Sequence, residues 1–352
     1  MPTKRTPILM SLAAICIIIA GMKAAAPILN PLFLSIFIAV ICLPSLAWLD
    51  KKGLSSTLAI LLVILALFII IGTLGIYIIS SVNEFSQQLP YYQNNLKLQT
   101  DTLTQWLNSH GIEHAVNIDS FKEFNASKVM KFIGGLITGL GAVFADIFLI
   151  QLTVIFILFE SYSLPQKIQV AFDDSNFINH SREIVARINQ YLAIKAITSL
   201  VTGLLITIWL SILGIDFPIL WGVIAFMFNF VPTIGSIIAA IPTVLLSLVQ
   251  LGVDSSLLVA LGYFLVNMLV GNIWEPRIMG RGLGLSTLVV FLSLTFWGWV
   301  FGSVGMLLSV PFTMIAKIVL EKNTDTRWIS ILLGSENDLP EIDSEVPTQA
   351  GL

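Results

Sequence analysis

The chain has 352 residues, 56% hydrophobic and 11% charged, with a formal net charge of −3 and a mean hydropathy of +0.91. A soluble domain carries about a quarter charged residues, so a soluble globular fold is excluded and a polytopic membrane protein is indicated. The small net charge reflects an acidic tail, and no nucleic-acid partner is expected.

Residues 1–81 predict three spanning helices. The first runs from about Ile8 to Ala26, and Pro27 and Pro31 turn the chain into the second, which ends near Leu49. The third runs from about Leu54 to Ser81, after the turn Asp50-Lys51-Lys52-Gly53. Lys4-Arg5 and Ala24-Ala25-Ala26 imitate a secretory leader, but the next apolar run follows at once, so an uncleaved first span is expected. Cys16 and Cys42 lie in apolar runs and read as small buried hydrophobes.

Residues 82–131 form a polar, helical, extracytoplasmic insertion. Phe85, Tyr92 and Trp106 fall on one heptad position and Leu89, Leu96 and Leu103 on the other, with Gln99 interrupting the first row. Such a seam either joins subunits in a short coiled coil or packs on its own neighbour, and both readings stand. Residues 132–192 give a fourth span, opened by Gly134, Gly135, Gly139 and Gly141. A cytoplasmic amphipathic linker follows, with Ile184, Val185, Ile188, Tyr191 and Leu192 opposite Arg182, Glu183, Arg187 and Asn189.

Residues 193–253 contain a fifth span and a first hairpin. From Phe217 to Val253 there is no Asp, Glu, Lys or Arg, yet the midpoint holds the turn formers Pro232 and Gly235. Residues 254–320 repeat the plan. A sixth span ends near Trp274, Glu275-Pro276-Arg277 breaks it, and a second uncharged run from Leu283 to Ala316 turns at Gly302-Ser303-Val304-Gly305. A turn facing water recruits charge. Irregular backbone inside a bilayer survives only when buried in protein or lining a wet cavity. Both hairpins are therefore expected to be re-entrant. Residues 321–352 form an acidic, mostly disordered cytoplasmic tail.

The expected fold is all-α: about six full transmembrane helices plus two re-entrant hairpins. Each hairpin follows a span, in opposite orientation, which is the layout of an inverted repeat with its site at the broken helices. Basic residues place both termini in the cytoplasm, with Arg182, Arg277, Lys51, Lys52 and Lys195 on that side.

Polar groups inside apolar runs are site candidates. The substrate-binding set is Asn229, Pro232, Thr233, Gly235 and Ser236 at the first tip, Asn267 and Asn272 on the sixth span, and Ser303 at the second tip, with Thr295 nearby. These uncharged donors and acceptors suit a small, neutral, hydroxyl-rich solute. The competing reading is that each merely bonds helix to helix. Glu275, Pro276 and Arg277 form a hinge, with Glu275 pairing to Arg277, Arg281 or a partner elsewhere, and Asp146 is the candidate for ion or proton coupling. His110 and His114 read as solvated, so no metal site is expected. There is no GxxxxGK[ST], HExxH or GxSxG. No enzyme activity and no cofactor are expected.

The first hairpin, FNFVPTIGSIIAAIP, and the run NIWEPRIMGRGLGLSTLVVFLSLTFWGWVFGSVGMLLSVP resemble the autoinducer-2 exporter family of bacterial inner-membrane permeases, and are most like the branch named for the quorum-sensing signal exporter. The resemblance implies a homo-oligomeric carrier, with a pentamer as the expected assembly, that lets a small signalling furanone leave the cytoplasm. Asn229, Pro232, Gly235, Asn272, Glu275, Pro276, Arg277, Gly280 and Gly282 match family positions. Other members are described as sodium or lithium/proton antiporters, so antiport is the alternative. An oligomeric scaffold whose outer insertion binds a partner is the alternative from another class.

Overall fold

The computed structural model describes residues 5–109, 134–135, 147–171, 175–232, 234–279, 284–321 and 325–335. Every regular element among them is helical. The helices are α1 (Arg5–Ala24), α2 (Ala26–Lys51), α3 (Ser56–Ser109), α4 (Ile147–Ala171), α5 (Ser175–Leu213), α6 (Pro218–Asn229), α7 (Ile234–Leu251) and α8 (Val253–Val266). A π-helix (Asn267–Trp274) continues α8 into α9 (Glu275–Met279), followed by α10 (Thr287–Leu307), α11 (Ser309–Glu321) and α12 (Arg327–Leu333). Seven helices are long and apolar enough to cross a bilayer, which fits the expected all-α polytopic fold.

Two of the seven, α7 and α10, belong to the expected hairpins, and the other five with the shorter apolar α1 make up the six expected spans. α6 has 12 residues, about 18 Å at 1.5 Å per residue, too short for a hydrocarbon core of about 30 Å. α6 packs on α7, and a Cβ at Gly235 would sit 1.8 Å from the Phe228 carbonyl oxygen, so only glycine lets the limbs close this tightly. α10 is broken at Gly302 (φ 64°, ψ −141°), a conformation that L side chains rarely adopt. Beyond the break the chain folds back. Gly305 lies against the Trp297 carbonyl, and the Trp297 indole donates to Thr313 Oγ1 at 3.0 Å. α10 as counted is thus one hairpin limb, Thr287 to Phe301, plus the start of the next.

The first hairpin is held at its mouth by the long helix. α3 runs for 54 residues as one helix, so the polar insertion begins as a continuation of the third span. Phe85 and Tyr92 are buried in one core with Phe217, Leu220 and Trp221, with Leu89 packed against it. The Tyr92 hydroxyl donates to Asp216 Oδ2 at 2.7 Å, and Gln99 Nε2 reaches the Val249 carbonyl at 3.4 Å. The first half of the heptad seam therefore packs on its own chain. Phe217 opens α6 in the left-handed region (φ 58°, ψ 45°), a strained state for a bulky residue, maintained by its burial beside Phe85.

The second hairpin rests on α1 and α2. Asn30 Nδ2 donates to the Phe301 carbonyl at 3.2 Å, Phe33 packs edge-on to Phe301 and Phe312, and Lys23 Nζ lies 3.8 Å over the Trp299 ring. At the other end α12 folds back over the start of α10, where Ser286 N–H donates to the Leu333 carbonyl. Cys42 is buried as expected, but Cys16 is exposed, because the described part of α1 has few neighbours on that face.

Candidate functional site

α5 crosses α6 closely. A Cβ at Gly203 would lie 2.7 Å from the Gly222 carbonyl, and one at Gly222 would collide with Thr207 Oγ1. This contact brings the tip of the first hairpin onto the lower face of α5. That face carries Lys195, Thr198, Ser199 and Thr202, at i, i+3, i+4 and i+7, and all four are buried. Four polar side chains along one buried stripe require partners.

Lys195 finds its partner on the sixth segment. Its Nζ lies 2.7 Å from Glu275 Oε1 and 2.9 Å from Oε2, with the side chains 7% and 15% exposed. Thr198 Oγ1 donates to Glu275 Oε2 at 3.3 Å. One turn higher, Asn229 Nδ2 donates to Ser199 Oγ at 3.0 Å. Thr202 Oγ1 is buried with no hydrogen-bond partner. The result is a compact polar patch where the first tip, α5 and the hinge meet. It contains one fixed ion pair, an amide and three hydroxyls, inside a segment otherwise fit to cross a membrane.

The π-helix places Glu275 in this patch. Its i→i+5 bonding fits extra residues into each turn and so unwinds the helix immediately before Glu275. It also turns Asn267 and Asn272 towards a shared face. Residues five apart sit about 140° apart on an α-helix but about 50° apart on a π-helix. Asn267 is half-buried and Asn272 exposed.

The other described candidates make no hydrogen bond to the patch. Pro232 and Ser236 are half-buried near the first tip, and Gly235 is buried. Ser303 and Thr295 are exposed, and the second tip sits at the level of Asn30, near the start of α2. Pro276 and Arg277 are exposed. Asp146, Thr233, Gly280, Arg281, Gly282, His110 and His114 lie outside the described residues. Among the described residues no group of three His, Cys, Asp or Glu side chains could hold a metal.

The structure makes two sequence expectations more specific. Lys195, expected as a basic residue on the cytoplasmic side, is buried inside α5, which begins at Ser175, five turns before it. Of the partners considered for Glu275, it pairs with neither Arg277 nor, among the described residues, any other arginine; the one elsewhere is Lys195. Sequence reasoning missed Thr198, Ser199 and Thr202. Their i, i+3, i+4, i+7 spacing with Lys195 was the available signal.

Comparison with known proteins gives a consistent answer. The family model described as "AI-2E family transporter" matches residues 12–325. The AI-2 transport protein TqsA of Escherichia coli is 40% identical over 337 residues, covering 94% of this chain and 96% of the relative. A Haemophilus influenzae relative, named for transport without a substrate, is 39% identical over 340 residues, covering 94% and 97%. The E. coli protein YhhT, whose name also gives no substrate, is 37% identical over 328 residues, covering 93% and 94%.

Proposed function

The chain belongs to the AI-2E transporter family, and from that premise we propose that it exports a small, polar, hydroxyl-rich solute of the autoinducer-2 kind across the bacterial inner membrane. One observation carries the reading. The first hairpin tip, through Asn229, is tied to a buried polar stripe on α5 beside the Lys195–Glu275 pair. Uncharged donors and acceptors at such a tip match a neutral polyol-like solute. The unpartnered Thr202 hydroxyl supplies one more donor at the same face. The name of the relative TqsA supports this substrate class. In this reading Asn229, with Pro232, Thr233, Gly235 and Ser236, borders the solute, joined by Asn267, Asn272 and Ser303 from the other segment. Glu275, Pro276 and Arg277 form the hinge that changes exposure. Both termini face the cytoplasm, and the working unit is a homo-oligomer in the bilayer.

A second reading is favoured by the same buried ion pair: cation/proton antiport, with Glu275 as the exchanging group and Asp146 as the alternative. Flux in proteoliposomes separates the two. Vesicles loaded with the furanone signal are placed under sodium or pH gradients, with wild type compared to Asn229→Ala and Glu275→Gln. Export predicts signal efflux that disappears in Asn229→Ala and ignores both gradients. Gradient-driven ion movement that disappears in Glu275→Gln, without signal efflux, would establish antiport and sink the export reading.

A further inference from the structure

The turn between α2 and α3 carries a feature that transport does not use. Pro44 lies inside α2, where it removes a backbone donor and crowds the preceding turn. Beside it a groove of about 430 Å³ opens between Pro44, Ser45 and Trp48 of α2 and Leu62, Val63 and Ala66 of α3. Its walls are apolar apart from Ser45. One end is charged. Lys52 Nζ sits 3.7 Å over the Trp48 ring, and Lys51 is exposed beside it. Neither lysine has a carboxylate partner among the described residues.

The nearest acid faces elsewhere. At 100° per residue, Trp48, Lys51 and Lys52 share one side of α2 while Asp50 points to the opposite side. There Asp50 Oδ2 accepts from the Tyr162 hydroxyl of α4 at 2.7 Å. On that neighbouring helix, Glu160 is already paired with Lys167 at 2.6 Å. The groove is therefore an apolar trough ending in two uncompensated cations and an indole. A tryptophan at that level is typical of a bilayer interface.

We infer that this groove binds a phospholipid with an anionic headgroup. One acyl chain lies along the trough between α2 and α3, and the headgroup phosphate sits at Lys51 and Lys52. A water-soluble solute has nothing to bond on the apolar walls. A zwitterionic lipid gains less from two lysines, because its own ammonium opposes them.

Full-length protein reconstituted in phosphatidylcholine vesicles tests this. Phosphatidylglycerol or phosphatidylcholine brominated on its acyl chains is titrated in, and the quenching lost in Trp48→Phe reports the groove. Brominated phosphatidylglycerol is expected to quench Trp48 with about 25-fold preference, about fivefold for each lysine. The preference is expected to vanish in the Lys51→Gln/Lys52→Gln variant. Both lysines are exposed, so that variant is expected to keep its thermal midpoint. Equal quenching by the two lipids would overturn the assignment. So would quenching of Trp48 by neither, the outcome if a second copy of the chain covers the groove.

Discussion

Removing one half of the Lys195–Glu275 pair is predicted to unfold the protein far more readily than removing both. At 2.7–2.9 Å and an effective dielectric of about 20, the attraction is about 6 kcal/mol. Desolvation of each ion opposes it by several kcal/mol, so the pair as a whole adds little net stability. A lone buried charge keeps its desolvation penalty and loses its partner. Lys195→Met or Glu275→Gln alone is therefore expected to lose about 3–5 kcal/mol. The double variant is expected to return to within about 1–2 kcal/mol of wild type, since the Gln amide still reaches Thr198. The assay is dodecyl sulfate titration in mixed micelles, followed by tryptophan fluorescence, with signal efflux measured in parallel. Efflux is expected to stay low in the double variant although folding recovers, because the hinge has lost its charged anchor. A double variant as unstable as the worse single would show that these two charges do not compensate each other, and the account of the patch would fail.

The glycines at the two tips give a second test. Gly235→Ala and Gly305→Ala each press a methyl into a carbonyl oxygen less than 2 Å away, so each is expected to splay its hairpin and lose about 1–3 kcal/mol, read by the same titration; unchanged midpoints would contradict the close approach. Tyr92→Phe removes a charge-assisted bond to Asp216 and is expected to lose about 1.5–3 kcal/mol. Amide exchange should then rise over residues 215–222, and Asp216→Asn should add little on top. Burial, reinforced by Asp216, pushes the Tyr92 phenol well above its usual range. Its bond is a property of the protonated form, so its contribution is fully present below the unfolded phenol value of about 10. A melting-temperature scan from pH 7 to 9 is expected to show no step from this contact.

Much of the membrane layout was legible because it depends on what the sequence lacks. Two long runs without charge, each with glycine or proline at its centre, located the turns that the structure places at residues 230–232 and at Gly302. The polar patch was less legible. Lys195 stands at the sequence border of an apolar run and reads as a cytoplasmic anchor. Only the early start of α5 and its packing under the first tip show that it is buried. The π-helix was invisible for another reason. Asn-Met-Leu-Val-Gly-Asn-Ile-Trp fits an ordinary helix, and a wider turn answers to tertiary packing rather than local propensity. The seam on α3 was read as a stripe with two possible partners. Asp216 and Phe217 decided between them for its first half, and no spacing rule joins residues 124 positions apart.

The length of α3 has a mechanical consequence. Fifty-four residues make a rod of about 80 Å, of which a hydrocarbon core of about 30 Å embraces less than half. A membrane span normally adapts to a thinner bilayer by tilting. Here the projecting half is fastened to the mouth of the first hairpin through Tyr92 and Gln99. A few degrees of tilt at the base become a lateral displacement of several ångströms at that mouth. A helix held at both ends in this way would carry a change of tilt to the segment that holds Asn229.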